Sequence, residues 1–212
     1  MAEDLTLYGE STWMSPWVFH AMVALEEKKL PYKLEVVPIP MAPEMKQMLR
    51  DKALLGSVPA LRHGDVWISE SLAISEYLAE RFPAPGHPRL FPADLVQRAR
   101  ARQVMSWLRT SLGALRSDRP TSSMFARPNV GPMTEKGKAD AETLVRVASA
   151  VVAPGKTTMF DEFCIADIDL GLALMRMIAC DDPVPAHLVA YARAQWERPS
   201  VRKYLSHLPT TP

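Results

Sequence analysis

Alternation of apolar and polar residues with period two occurs only in the first third of this 212-residue chain. The segments "LTLYG", "YKLEVVPI" and "VPALRHGDVWISE" alternate as strands do, and from Asp94 onward no stretch does so for long enough to form one. Two unlike modules are therefore expected. Between the first two strands Val18, Met22 and Leu25 share one helical face, with Pro16 opening the helix at its first turn, where its missing N–H costs nothing. That is a β-α-β unit. The third segment reads as a hairpin turning at His63-Gly64-Asp65, and Ser69 to Phe82 carries Ile74, Tyr77 and Leu78 on one face of a following helix.

The order β-α-β, then β-β-α, on so short a segment is the thioredoxin-like topology, joined by a Pro- and Met-rich stretch from Pro38 to Met48. "FPAPGHPRLFP", residues 82–92, holds four prolines and a glycine and closes the module. The expected domains are residues 1–83, a linker at 84–92, and an all-α domain at 93–212. Helical stripes in the second domain are Val104, Leu108, Ser111 and Leu115; Leu144, Val147 and Val151; and Ile168, Leu172 and Met175. The polar, proline-broken stretch from Asp118 to Thr134 reads as a long surface loop near a substrate mouth.

Composition narrows the function classes. A formal charge of +1, with both signs spread along the chain, gives no electrostatic reason to expect nucleic acid or a membrane surface as partner. The hydrophobic content of 48% supports packed cores, and no apolar run approaches the ~18 residues of a membrane span. Cys164 and Cys180 form neither a CxxC pair nor part of a metal cluster, and the acidic start "MAEDLTLYGE" lacks an apolar signal core. A reduced, cytoplasmic protein without a metal is expected.

Three pieces of the first module converge at one end of a thioredoxin-like sheet: the loop after the first strand, the turn before the third, and the start of the third helix. Ser15 is either a helix cap or an active hydroxyl, and Ser11 and Thr12 are alternatives on the same loop. The Val58-Pro59 bond is either an ordinary trans proline or a cis bond that turns the Val58 N–H and C=O toward a peptide lying alongside. Glu70-Ser71 opens the third helix, where unpaired N–H groups suit a carboxylate and an acidic side chain suits an ammonium group. A ligand carrying both groups on one carbon is an amino-acid α-centre. A peptide with a free α-amino-acid end, running antiparallel past Val58 toward Ser15, describes glutathione.

Over its whole length the chain resembles the cytosolic glutathione S-transferases. "SPWVFHAMVALEEKKLPYKLEVV" is similar to the first helix and second strand of serine-type branches such as tau and theta. "GSVPAL" followed by "ESLAISEYLAERF" resembles the glutathione-site signature. "FCIADIDLGLAL" resembles the buried folding motif of the helical domain, and "WERPSVRKYL" its C-terminal helix entry. With "RARARQ" and "CIADIDL" included, the greatest likeness is to the bacterial YfcF-like transferases. The resemblance implies that Ser15 activates the glutathione thiol, that Val58 beside Pro59 clamps the peptide, and that Glu70 and Ser71 anchor its γ-glutamyl end. It also implies a homodimer through the third and fourth helices, and conjugation of hydrophobic electrophiles or glutathione-dependent reduction of organic hydroperoxides.

Some positions depart from the family pattern. "ALLGSVP" keeps the glycine before the proline but lacks the Asn-Pro that many relatives carry. Cys164 stands where the folding motif has Ser or Thr, so Asp167 is expected to provide most of that cap, with Cys164 structural. Trp13, Met105, Trp107, Arg109 and Leu112 are candidates for an electrophile pocket, with ordinary core packing the competing reading for the apolar ones. Trp17 either walls the site or packs on the sheet, and Arg98 and Arg102 read as one solvated or subunit-pairing face. A thiol-disulfide oxidoreductase is the second reading, although the first domain holds no cysteine. A non-catalytic binding relative is the third.

Overall fold

The computed structural model describes residues 4–126 and 130–208. They divide into two units, one running up to Leu90 with Ser206–Leu208 added, the other spanning Phe91–Leu205.

In the first unit β1 (Leu5–Glu10), α1 (Pro16–Glu27) and β2 (Lys33–Val37) are followed by α2 (Pro43–Ala53), the hairpin β3 (Ala60–His63) and β4 (Val66–Ser69), and α3 (Ser71–Arg81). The sheet has the order β2-β1-β3-β4, with β1 and β2 parallel and the other pairs antiparallel. Helix α1 is apolar nearly all round, and Val18, Phe19, Met22, Val23 and Leu25 are fully buried. Each such side chain contributes about 1.5–3 kcal/mol on burial, so packing rather than intrinsic propensity holds a 12-residue helix in place. Gly9 permits the close approach of α1 to β1, since a Cβ there would meet Val18 Cγ1 at 3.1 Å. At the far end of α1 the buried Lys28 donates from Nζ to the Phe82 carbonyl at 2.5 Å. Burial, with the Arg89 charge adding to it, pushes the Lys28 pKa down.

The stretch expected only as a connector contains α2. Pro43 at its first turn, Glu44 beside it and Arg50 and Lys52 in its last turn all suit the helix dipole. Its buried residues are Leu49 and Ala53, and half-buried Met45 and Met48 join them in a cluster with Tyr8 and Trp67 of the sheet and with Val58. Helix α3 starts at Ser71 rather than Ser69, because the Ser69 hydroxyl donates to the Ala53 carbonyl at 2.7 Å instead of capping.

The second unit contains α4 (Leu95–Thr110), α5 (Gly113–Asp118), α6 (Ser122–Phe125), α7 (Glu135–Val151), α8 (Ile165–Ile178), α9 (Ala186–Trp196) and α10 (Pro199–Leu205). Two corrections to the sequence reading arise here. The stripe drawn through Val104, Leu108, Ser111 and Leu115 is broken into two helices at Leu112, which has a left-handed φ of 58°. Arg116 donates to the Leu108 carbonyl at 2.9 Å and to the Ser111 carbonyl, satisfying the end of α4. Asp140 of α7 accepts from the Ala114 and Leu115 amides at 2.9 and 3.1 Å, capping α5 from outside. The Asp118–Thr134 stretch is not a bare surface loop: α6 buries Ser123 and Phe125, and Phe125 lies against Trp196 and Tyr204. Residues 127–129 of that stretch lie outside the described residues.

Helix α8 is the most buried element of this unit, and Asp167 in its first turn is fully buried. Its carboxylate accepts from the Cys164 amide at 2.9 Å, the Met159 amide at 2.8 Å and the Tyr191 hydroxyl at 2.7 Å. Desolvation raises the Asp167 pKa against the pull of these bonds. Burial likewise pushes the Cys164 thiol well above the usual range, which fits a structural residue and not a redox one.

Candidate active site

Strand register brings three loops together at one end of the first unit's sheet. Tyr8 of β1 pairs with Ala60 of β3, and Ala60 pairs with Ser69 of β4. Just beyond this row lie Glu10 at the end of β1 with the loop to Ser15 after it, Pro59 and Val58 before β3, and Glu70 and Ser71 after β4. Neighbouring strands are about 4.8 Å apart, so the three loops span roughly 10 Å. An extended tripeptide has about that length.

Ser15 is the N-cap of α1, and its Oγ accepts from the Val18 amide at 3.3 Å. A capping hydroxyl accepts with its lone pairs while its hydrogen is a separate donor, so a cap at this position is also able to donate to an anion. Of the two alternative hydroxyls, Ser11 is an acceptor as Ser15 is, and Thr12 is a donor. Ser11 Oγ accepts from the Ile39 amide at 3.1 Å, tying it to the end of β2. Thr12 donates its hydroxyl to Glu10 Oε2.

Glu10 itself escaped the sequence reading. It is 5% exposed at the end of β1. Oε2 also accepts from the Thr12 amide at 2.6 Å, and Oε1 from the Ser15 amide at 2.9 Å. The available signal was an acidic residue closing an apolar strand immediately before Ser11-Thr12, where a strand of such depth has no other charge.

The Val58-Pro59 peptide is cis. Val58 is half-buried against Leu49, Ala53 and Ala60, and the registered β1–β3 ladder ends at Ala60, short of it. Glu70 has φ 68° and ψ 116°, a conformation that L-residues rarely adopt, and its side chain is exposed and makes no capping bond to α3. Ser71 follows it, buried, in the first turn. A non-glycine residue held in such a backbone conformation costs about 1–3 kcal/mol and concentrates at functional sites. Among the described residues no group of His, Cys, Asp and Glu is arranged to hold a metal ion.

Comparison with known proteins extends this geometry to the whole chain. The glutathione S-transferase C-terminal domain matches residues 94–208, and the glutathione S-transferase N-terminal domain matches residues 14–81. The chain belongs to the glutathione S-transferase family. Glutathione S-transferase 3 of Zea mays is 29% identical across 98% of this chain and 96% of its own. Glutathione S-transferase U13 of Arabidopsis thaliana is 34% identical over 102 residues, 48% of this chain and 44% of that protein. A glutathione transferase homolog from Burkholderia strain BGR1, solved with bound glutathione, is similar with a TM-score of 0.78 and 32% identity over 96% of each chain. The thioredoxin-like sheet unit followed by a helical unit is thus the glutathione S-transferase fold.

Within this transferase-family chain, the apolar residues named for an electrophile pocket, Trp13, Met105 and Leu112, are buried. Leu112 belongs to the core of the helical unit with Leu108, Leu115 and Leu144. Met105 is fully buried. Arg109 donates to the Met105 carbonyl at 3.2 Å and is paired with Asp169 of α8, so its charge is spent inside the helical unit. Trp13, with φ 57°, lies stacked against His207 at 4.2 Å between ring centroids and is 7% exposed, so it presents no open wall. For Met105, Arg109 and Leu112 helical spacing identifies a face, while burial depends on which neighbour covers it. Trp17 is half-buried. Arg98 donates to the Pro92 carbonyl at 3.1 Å, and Arg102 sits over the Phe91 ring at 5.8 Å. A concavity of about 680 Å³ in the helical unit is lined by Arg100, Gln103 and Trp107 of α4 with Val151 and Phe160.

Proposed function

We propose that this chain is a glutathione transferase in which Ser15 holds the glutathione thiol as thiolate. Val58 pairs through its backbone with the cysteinyl residue, and Glu70 and Ser71 bind the γ-glutamyl ammonium and carboxylate. The single observation that supports this most is the Tyr8–Ala60–Ser69 row, which puts these three groups on loops at one end of one sheet. The free thiol, near pKa 8.5, is only about 3% thiolate at pH 7. Lowering it by two units requires about 2.7 kcal/mol. A hydrogen bond from the Ser15 hydroxyl to the charged sulfur contributes about 1.5–3 kcal/mol, and the positive end of α1 roughly 0.3–1 more. Together the two are sufficient.

The thiolate attacks a hydrophobic electrophile, forming a thioether and displacing its leaving group. The same thiolate reduces organic hydroperoxides, with a second glutathione closing the disulfide. The absence of a cysteine from the first unit's site weighs against a disulfide oxidoreductase. The protein acts in the cytoplasm as a homodimer; Leu95 and Val96, at 76% and 68% exposure at the start of α4, support a subunit contact there. Among the described residues no helix is long and apolar enough to cross a membrane. The test is a thiolate ultraviolet difference titration of bound glutathione from about pH 5 to 9, with Ser15→Ala alongside. The expected result is a bound thiol titrating below about pH 7 that returns toward about 8.5 in the variant; identical titrations in both proteins reduce Ser15 to a cap.

A further inference from the structure

We infer that Glu10 is the positioning residue that selects Ser15, rather than Thr12, as the hydroxyl facing the thiol. This rests on the proposed thiolate chemistry. The carboxylate receives three donors: the Ser15 amide on Oε1, and the Thr12 amide and hydroxyl on Oε2. At 5% exposure little water competes for these bonds. An ionised carboxylate only accepts, so its two oxygens match three donors without a mismatch. Two consequences follow at once. The Thr12 hydroxyl hydrogen is committed to Glu10, and the Ser15 backbone is pinned immediately before α1, fixing the origin of its side chain. Gly9, held against Val18 one residue earlier, fixes the other end of the turn. Ser11, the third hydroxyl of the loop, accepts from the Ile39 amide at the end of β2 and makes no bond to Glu10 among those described.

A negative charge behind the site opposes thiolate formation, since a like charge disfavours the anion. Glu10 therefore works against the chemistry as a charge and for it as a scaffold, and the two roles predict opposite signs. In Glu10→Gln the charge is gone and an NH2 group faces one of the three donors. If Glu10 acted only through its charge, the bound thiol would titrate lower in the variant. If it positions Ser15, the hydroxyl moves off line and the thiol titrates higher, by about one unit, a tenfold loss of thiolate well below its pKa.

The experiment measures the bound-thiol titration and the glutathione Kd in the wild-type protein, Glu10→Gln, Glu10→Asp and Thr12→Val. Glu10→Asp keeps the charge and shortens the reach, so it separates position from charge and carries the test should Glu10→Gln not fold. An upward shift of about one unit in both Glu10 variants, with Kd changed by less than about threefold and Thr12→Val titrating as wild type, supports the inference. An unchanged or lower thiol pKa in the folded Glu10 variants overturns it, as does an upward shift in Thr12→Val, which would make Thr12 the activating hydroxyl. A wild-type thiol that titrates near 8.5 when bound refutes the parent chemistry instead, so the two failures are distinguishable.

Discussion

Glu70 allows backbone strain and ligand binding to be measured apart. Its φ of 68° is unfavourable for any residue with a Cβ, and the cost of such a conformation is about 1–3 kcal/mol. Glu70→Ala and Glu70→Gly remove the same carboxylate, but only glycine relaxes the backbone. Glycine also gains freedom in the unfolded chain, which offsets about 0.4–1 kcal/mol of that relief. The glycine variant is expected to be more stable than the alanine variant by about 0.5–2 kcal/mol, a rise in Tm of roughly 1–8 °C for a chain of this size. Both variants lose a charge-assisted bond to the γ-glutamyl ammonium, worth about 1.5–3 kcal/mol, so glutathione affinity falls roughly 10- to 150-fold in each. Thermal unfolding and calorimetric titration with glutathione read the two effects separately. Equal stability of the two variants refutes the strain argument, and unchanged affinity in both removes Glu70 from the binding site.

Other consequences are open to direct measurement. Asp182→Ala leaves Arg119, paired with Asp182 at 2.6 Å and 4% exposed, as a buried cation without its counter-ion, and urea unfolding should show a loss of about 3–5 kcal/mol. Unfolded Asp167 ionises near 3.8 while the folded residue keeps its proton to higher pH, so between the two values the folded state binds more protons and stability falls as pH rises. Asp167→Asn should remove that slope from a stability-versus-pH series, and a slope of wild-type steepness in the variant would refute the assignment. Cys164, buried and with its thiol pKa raised, should stay unmodified by an alkylating reagent near neutral pH while the partly exposed Cys180 reacts, as mass spectrometry of the folded protein will show.

Much of the fold was legible because period two and period 3.6 leave different marks. β1 and α1 declare themselves in the spacing of Leu5, Leu7, Val18, Met22 and Leu25, all of which are buried. Helix α2 was not visible because it buries only Leu49 and Ala53, flanked by half-buried methionines among prolines and charges, a composition that reads equally well as loop. The sheet's own Tyr8 and Trp67 make it a helix face. The site was legible where a backbone constraint forces a residue type, as in the Val-Pro pair and the Ser-Pro start of α1. It was obscured in the helical unit, where Met105, Arg109 and Leu112 lie in a helical pattern that serves a core as well as a pocket.

By itself the sequence determined the two-module organisation, the identity of the hydroxyl, proline and acidic residues at the sheet's end, and the resemblance that names the family. These follow from local spacing and short motifs, which survive without knowledge of any distant neighbour. Only the tertiary structure showed that Glu10 accepts from the Thr12 hydroxyl and the Thr12 and Ser15 amides, which ties Thr12 and Ser15 of this loop to one carboxylate. It alone decided that α4 stops at Thr110, since the partner that caps α5 is Asp140, more than twenty residues away along the chain. Hydrogen-bond partners and burial are properties of neighbours in space, and a linear pattern does not carry them.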